Sequence, residues 1–252
     1  MKIKKISVVI LLLCMLFAAY KIIKINFEYR QSNNSYLDLR NYIESSQISE
    51  SNEDESVEDV ITENLSMDFP SVNFQALRDI NSDIVGWIIF EGSAINYPIV
   101  QGEDNSYYLK HLFTGEYSVA GCLFLDCNNA MDFSDRNSVV YGHHMRDETM
   151  FTSIADYKKQ DYYDSHPQAI LLTPTKNYRI ELFAGFVANV NDDAWKTEFE
   201  SDVEFWDWLK DLQKRSCFTS TVVPLLSDRI VTFSTCSYEF ENARFVLYGV
   251  VR

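Results

Sequence analysis

Positive charge is scarce in this sequence: 22 Lys and Arg stand against 37 Asp and Glu, for a formal net charge of −15. Phosphate binding wants a basic face, so nucleic acid is excluded as a partner. Between Arg40 and Arg78 there is no Lys or Arg, while nine acidic residues fall in that interval. Cysteine is sparse as well. Cys14, Cys122, Cys127, Cys217 and Cys236 contain no C-x-x-C pair and no evident partners, which argues against a zinc site and a disulfide scaffold. Neither metal nor cofactor is expected. Cys122 and Cys127 lie an odd number of residues apart in what reads as a strand, so they point to opposite faces, both as small buried hydrophobes. Aromatic residues are few before residue 68; after it, most of the 17 Phe, 15 Tyr and 4 Trp supply ample core material. One globular unit is therefore expected to begin near residue 69. No internal repeat is present.

Ahead of that unit, Lys2, Lys4 and Lys5 precede an uncharged run from Ile6 to Tyr20. As a helix this run spans about 22 Å, short of the ~30 Å hydrocarbon core of a bilayer. Continuing through Ile22, Ile23 and Ile25, with Lys21 and Lys24 snorkelling outward, reaches roughly 30 Å. Phe17-Ala18-Ala19 lacks a clean small-x-small cleavage pattern, so residues 1–26 read as an uncleaved membrane anchor rather than a cleaved signal peptide. The lysines on the two sides nearly balance, and the positive-inside rule favours a cytoplasmic N-terminus only weakly. The expected location is the cell membrane, single-pass, with the globular unit extracytoplasmic. Residues 27–68 read as an acidic spacer, partly helical or disordered, because Ser45 to Ser56 is Ser- and Glu-rich and cannot form a core. That spacer is expected to be dispensable for chemistry in solution.

Within 69–252, Phe74, Leu77 and Ile80 recur three apart and predict a short amphipathic helix over Val72–Asn81. Ile84–Phe90 and Ile95–Val100 flank Glu91-Gly92-Ser93, a hairpin signature. Further strands are predicted at Gly121–Leu125, Ser138–Tyr141, Ala169–Thr173, Tyr178–Ala188, Arg229–Cys236 and Phe245–Val251. Around eight closely spaced strands predict a mostly β fold, a closed or nearly closed barrel. Between Thr197 and Arg215, Phe199, Val203, Trp206, Leu209 and Leu212 step by four and three, predicting a surface helix of about five turns laid on it. Phe205, Trp206 and Trp208 read as core packing.

The chemistry gathers at strand ends. Alternation along Arg229–Cys236 puts Ile230, Thr232, Ser234 and Cys236 on one face. Ser237 to Ala243 join that strand to the next, which begins at Arg244. If the two pair antiparallel, Cys236 and Arg244 meet at one end of the barrel. A guanidinium there favours the thiolate and can donate to the oxyanion of a tetrahedral intermediate. Of the four histidines, His111 and His166 fall in loops or helix-like stretches. His143 and His144 end the strand Val139-Val140-Tyr141-Gly142-His143, where alternation sets Tyr141 and His143 on one face and His144 on the other. His143 is the expected acid/base.

Thr232-Phe233-Ser234-Thr235-Cys236, with Arg244 eight residues after the Cys, resembles the sortase signature T-L-x-T-C…R, Phe233 replacing the usual Leu. Tyr141-Gly142-His143-His144-Met145 is similar to the histidine motif of class B sortases. So is Tyr97-Pro98-Ile99-Val100-Gln101-Gly102 leading into Asn105-Ser106-Tyr107-Tyr108-Leu109, and so are the helices before the barrel and before the Cys strand. The resemblance covers about residues 70–252. It implies an eight-stranded sortase barrel over residues 69–252 and a Gram-positive cell-surface transpeptidase. It also implies catalysis by His143, Cys236 and Arg244, and a sorting-signal groove lined at Asn105, Leu109, Tyr141 and Ser234. The implied reaction is acyl transfer through a Cys236 thioester. The partners would be secreted surface proteins bearing an NP-x-T-(N/G)-like motif, and an amine of a peptidoglycan precursor or pilin. Other readings fit less well. Cysteine L,D-transpeptidases place Ser-His-Gly before the Cys, and papain-like proteases set theirs at a helix N-terminus; neither is present. A membrane-anchored β-barrel binding module with a structural Cys is the non-enzymatic alternative.

Overall fold

The computed structural model describes residues 2–44 and 69–252. The Ser- and Glu-rich stretch from Ser45 to Ser56 lies outside the described residues. Helix α1 spans Lys2–Leu39 and carries exposed apolar side chains from Leu11 to Phe27. Among the described residues no helix is long and apolar enough to cross a membrane, so the expected anchor gains no support from the fold.

The end of α1 departs from the solvated spacer read from composition. Ser32, Tyr36 and Leu39, four and three residues apart on one helical stripe, are buried. Tyr36 Oη donates to the Gly121 carbonyl at 2.5 Å, and Ser32 Oγ pairs with Ser118 Oγ at 2.7 Å. The Tyr36 ring meets Tyr97 edge-on at 5.2 Å. After a 3-10 turn at Arg40–Tyr42, strand β1 (Ile43–Glu44) pairs antiparallel with β2 (Ser71–Val72). Packing on the barrel therefore begins well before residue 69. Helix α2 (Phe74–Ile80) is capped by the Asn73 side chain, which accepts from Ala76 N at 3.0 Å. Of its expected apolar face Leu77 is buried, whereas Ile80 is exposed.

Eight strands close the barrel: β3 (Ile84–Ile89), β4 (Asn96–Val100), β5 (Leu123–Leu125), β6 (Asn137–Tyr141), β7 (Gln168–Leu172), β8 (Asn177–Asn189), β9 (Ile230–Cys236) and β10 (Ala243–Val251). Their order around the ring is β10-β8-β7-β3-β4-β5-β6-β9. Pairing is antiparallel except at β4–β5 and β6–β9. Closure gives every barrel strand two neighbours, and α3 (Gln160–Ser165) lies between β6 and β7 in sequence.

Both faces of β9 and β10 are buried, for different reasons. Val231, Phe233, Phe245 and Leu247 point into the barrel core. Ile230, Val246 and Tyr248 point outward and are covered by α4 (Asp202–Arg215). Helix α4 starts later than periodicity suggested, because Ser201 caps it by accepting from Glu204 N at 3.2 Å. Its buried stripe is also rotated from the expected one. Phe205, Trp208, Leu209 and Leu212 face the sheet, leaving Val203 and Trp206 exposed. Cys122 is buried as expected, but Cys127 lies beyond the end of β5 and is half-buried.

Candidate active site

The Thr-Phe-Ser-Thr-Cys run locks β9 onto β6. Thr232 Oγ1 donates to Asn137 Oδ1 at 2.7 Å, and Thr235 Oγ1 donates to the Gly142 carbonyl at 2.8 Å. The parallel register runs to Tyr141↔Ser234 and continues with Gly142 N donating to Ser234 O at 3.1 Å. His143 and Cys236 each lie two residues beyond the Tyr141↔Ser234 pair, at the same end of the barrel. Gly142 permits this approach: a Cβ there would sit 2.4 Å from Leu123 Cδ2 and 2.6 Å from the Phe151 ring. On the other side, Arg244 is the direct antiparallel partner of Cys236. Such partners hold their Cβ atoms about 4.5–5.5 Å apart on one face.

A cleft of about 330 Å³ opens over these strand ends. Cys236, His143 and Arg244 line it, and so do Asn105, Leu109, Tyr141 and Ser234. All the site residues expected from the sequence thus share one cavity. His143 Nε2 is 2.7 Å from the Leu109 carbonyl, which only accepts, so Nε2 carries the proton and Nδ1 is left for proton transfer. Arg244 Nη1 donates to Ala243 O at 2.9 Å, leaving its remaining N–H groups for a ligand. Among the described residues no hydrogen bond reaches the Cys236 thiol. The three groups converge as neighbours, as catalytic contacts commonly stand before substrate tightens them.

His144 occupies a different environment and does not line the cleft. Its ring packs edge-on against Tyr238 at 5.3 Å, and its buried Nδ1 has no hydrogen-bond partner among the described residues. Burial, reinforced by the Lys158 charge, lowers its pKa, so the ring is neutral at neutral pH. Cys122 offers a second contrast. It is fully enclosed, and burial pushes its thiol up to about 12, the signature of an inert structural cysteine. Cys236 is half-buried and opens onto the cleft.

Several residues that shape the site carried no recognisable sequence signal. Trp195 Nε1 donates to Ser234 Oγ at 2.9 Å from the loop after β8. Lys158 braces the loop between Cys236 and Arg244: Nζ donates to Ser237 Oγ at 3.0 Å and pairs with Glu239. Burial works to raise the Glu239 carboxyl, but Lys158 and the Ser237 hydroxyl outweigh it and hold it down to about 2. Asp126, just past β5, takes Asn105 and Tyr141 on its carboxylate. Each of these contacts joins segments far apart in the chain.

No family model matches the chain. Sortase B of Listeria monocytogenes is 37% identical over 175 residues, covering 69% of this chain and 71% of that protein. A solved Staphylococcus aureus sortase B–substrate complex is 33% identical with a TM-score of 0.68, covering 71% of this chain and 84% of that one. A solved sortase B from Bacillus anthracis has a TM-score of 0.73 at 30% identity, covering 90% of this chain and 99% of that one.

Proposed function

This chain belongs to the sortase B family of cysteine transpeptidases, and we propose that Cys236, His143 and Arg244 carry its chemistry on a C-terminal sorting motif of NP-x-T-(N/G) type. The observation that carries this reading is the register that sets Arg244 directly opposite Cys236, with His143, two residues past the end of β6, lining the same cleft. The Cys236 thiol gives its proton to His143 Nδ1 as the sulfur attacks the carbonyl carbon of the motif's Thr, and the carbonyl electrons move onto oxygen. Arg244 N–H groups stabilise that oxyanion. As the intermediate collapses, the C–N bond breaks and His143 gives a proton to the leaving amine. The remaining thioester is attacked by an acceptor amine, which yields its proton to His143 as the C–S bond breaks and a new amide forms. The acceptor amine is one of a peptidoglycan precursor or pilin.

Sortase kinship is consistent with a cell-surface enzyme. The finer proposal is a single-pass anchor through residues 1–26. The Lys-flanked apolar run in the sequence supports it. Anchoring enzyme and substrates to one surface raises their effective concentration.

The test incubates the protein with a panel of quenched fluorescent sorting peptides and an amine acceptor. Wild type is expected to cleave one motif class after Thr and to form the amide product. Cys236→Ala should abolish both steps without loss of thermal stability. Residual cleavage by that variant would remove Cys236 as the nucleophile.

A further inference from the structure

Asp126 is 9% exposed and does not itself line the cleft, yet two cleft residues hang from one of its oxygens. Its Oδ2 accepts from Asn105 Nδ2 at 2.9 Å and from Tyr141 Oη at 2.9 Å. Its Oδ1 accepts from Asn128 N at 3.0 Å and Asn128 Nδ2 at 3.1 Å. An ionised carboxylate offers about four acceptor sites. All are filled, so among the described residues the buried carboxylate is satisfied by hydrogen bonds.

This arrangement decides the polarity of the cleft wall. Tyr141 has one hydroxyl hydrogen and spends it on Asp126, so toward a ligand its oxygen can only accept. Asn105 Oδ1 takes the Cys127 N–H at 2.9 Å, and one Nδ2 hydrogen goes to Asp126. What remains on Asn105 is a single N–H donor, beside the second lone pair of an Oδ1 already turned to the Cys127 N–H. The wall therefore presents one donor and one acceptor side by side, both fixed by the same oxygen. Its complement is a carbonyl and an N–H held close together, as in a peptide unit or a carboxamide.

The geometry points to Asp126 as a positioning residue for substrate binding. It sets Asn105 as a donor and Tyr141 as an acceptor toward such a carbonyl-and-N–H pair of the sorting peptide. This rests on the reading that the cleft takes that peptide. Asp126 touches neither Cys236 nor His143, so its effect falls on binding rather than on the acyl-transfer step.

The test uses the full chain and the panel peptide that wild type cleaves best. Asp126→Asn keeps the shape but replaces one acceptor oxygen with an NH2 group, which opposes donors on whichever side it lies. KM is expected to rise by about tenfold or more, with kcat within about threefold. Alkylation of Cys236 by iodoacetamide should keep its wild-type rate, a readout that general loss of structure would move. Tyr141→Phe should also raise KM, but should add little in the Asp126→Asn background, where Tyr141 is already unfixed. Unchanged KM in Asp126→Asn overturns the inference, as does a Tyr141→Phe effect of equal size in both backgrounds. If Asp126→Asn does not fold, Asn105→Ala and Tyr141→Phe decide by the same split, and unchanged KM in both overturns it. Wild type cleaving no peptide would refute the substrate reading and this inference with it. Cleavage with insensitive variants would refute the inference alone.

Discussion

Replacing Tyr36 with Ala should destabilise the barrel although Tyr36 precedes it by more than thirty residues. The side chain is 3% exposed, its ring packs on Tyr97, and its hydroxyl reaches the Gly121 carbonyl. Truncating a buried aromatic to Ala costs about 3–5 kcal/mol. In a domain of this size, each kcal/mol lowers Tm by about 2–4 °C, so a drop on the order of 10 °C is expected. The effect should reach catalysis. Gly121 adjoins Cys122, whose N–H bonds the Tyr108 carbonyl, and the next carbonyl, Leu109, holds His143. A protein beginning at Asp68 loses the whole brace and should fall in both Tm and kcat/KM against one beginning at Phe27. Calorimetry and peptide-cleavage kinetics on the three proteins make the measurement. Melting within about 2 °C of the longer protein, with equal kcat/KM, would refute the brace. It would also restore the reading of residues 27–68 as a dispensable spacer.

Arg244→Lys keeps the charge but loses the planar fork, and should lower kcat about 10²-fold, the worth of one oxyanion donor; full activity would contradict that role. His143→Ala should lose cleavage and transfer almost completely. His144→Ala, which alters a neutral ring outside the cleft, should have a modest effect, and the reverse pattern would overturn the assignment. Glu239 has a carboxyl pKa lowered to about 2 in the fold, so its contribution is present above its unfolded value and is lost as pH falls from about 4.5 toward 2. The pair with Lys158 is partly exposed, so the contribution is on the order of 1 kcal/mol. Wild type and Glu239→Gln should therefore differ in Tm near neutral pH and converge near pH 2. A constant difference across that range would show that the pair is not responsible.

The barrel strands were legible because strands with one or both faces buried are written locally, as β-branched and aromatic runs between turns. The predicted bounds fall within a few residues of the observed ones, as with Ile84–Phe90 against Ile84–Ile89. The side on which α4 packs was legible only in part: Phe205 and Trp208 are core as read, while Trp206 is exposed. It carries apolar residues on two stripes, and only the shape of β8–β10 selects Phe205 and Trp208 over Val203 and Trp206. The packing of the α1 tail was not legible for a related reason: the Ser32–Tyr36–Leu39 stripe is too short to stand out without its partner surface.

Local pattern was enough to specify the eight barrel strands and the strand-end positions of Cys236 and Arg244, whereas the strand read as ending at His143 stops at Tyr141. Those properties depend on alternation and on neighbours in sequence. Tertiary structure alone decided the strand order around the ring, the parallel β6–β9 pairing, and the carbonyl of Leu109 as the partner that sets the His143 tautomer. The same holds for Asp126, Trp195 and Lys158, whose hydrogen bonds reach Tyr141, Ser234 and Glu239 from other segments. A side chain's partner across the fold depends on strand order and register, and no periodicity within a single segment records either.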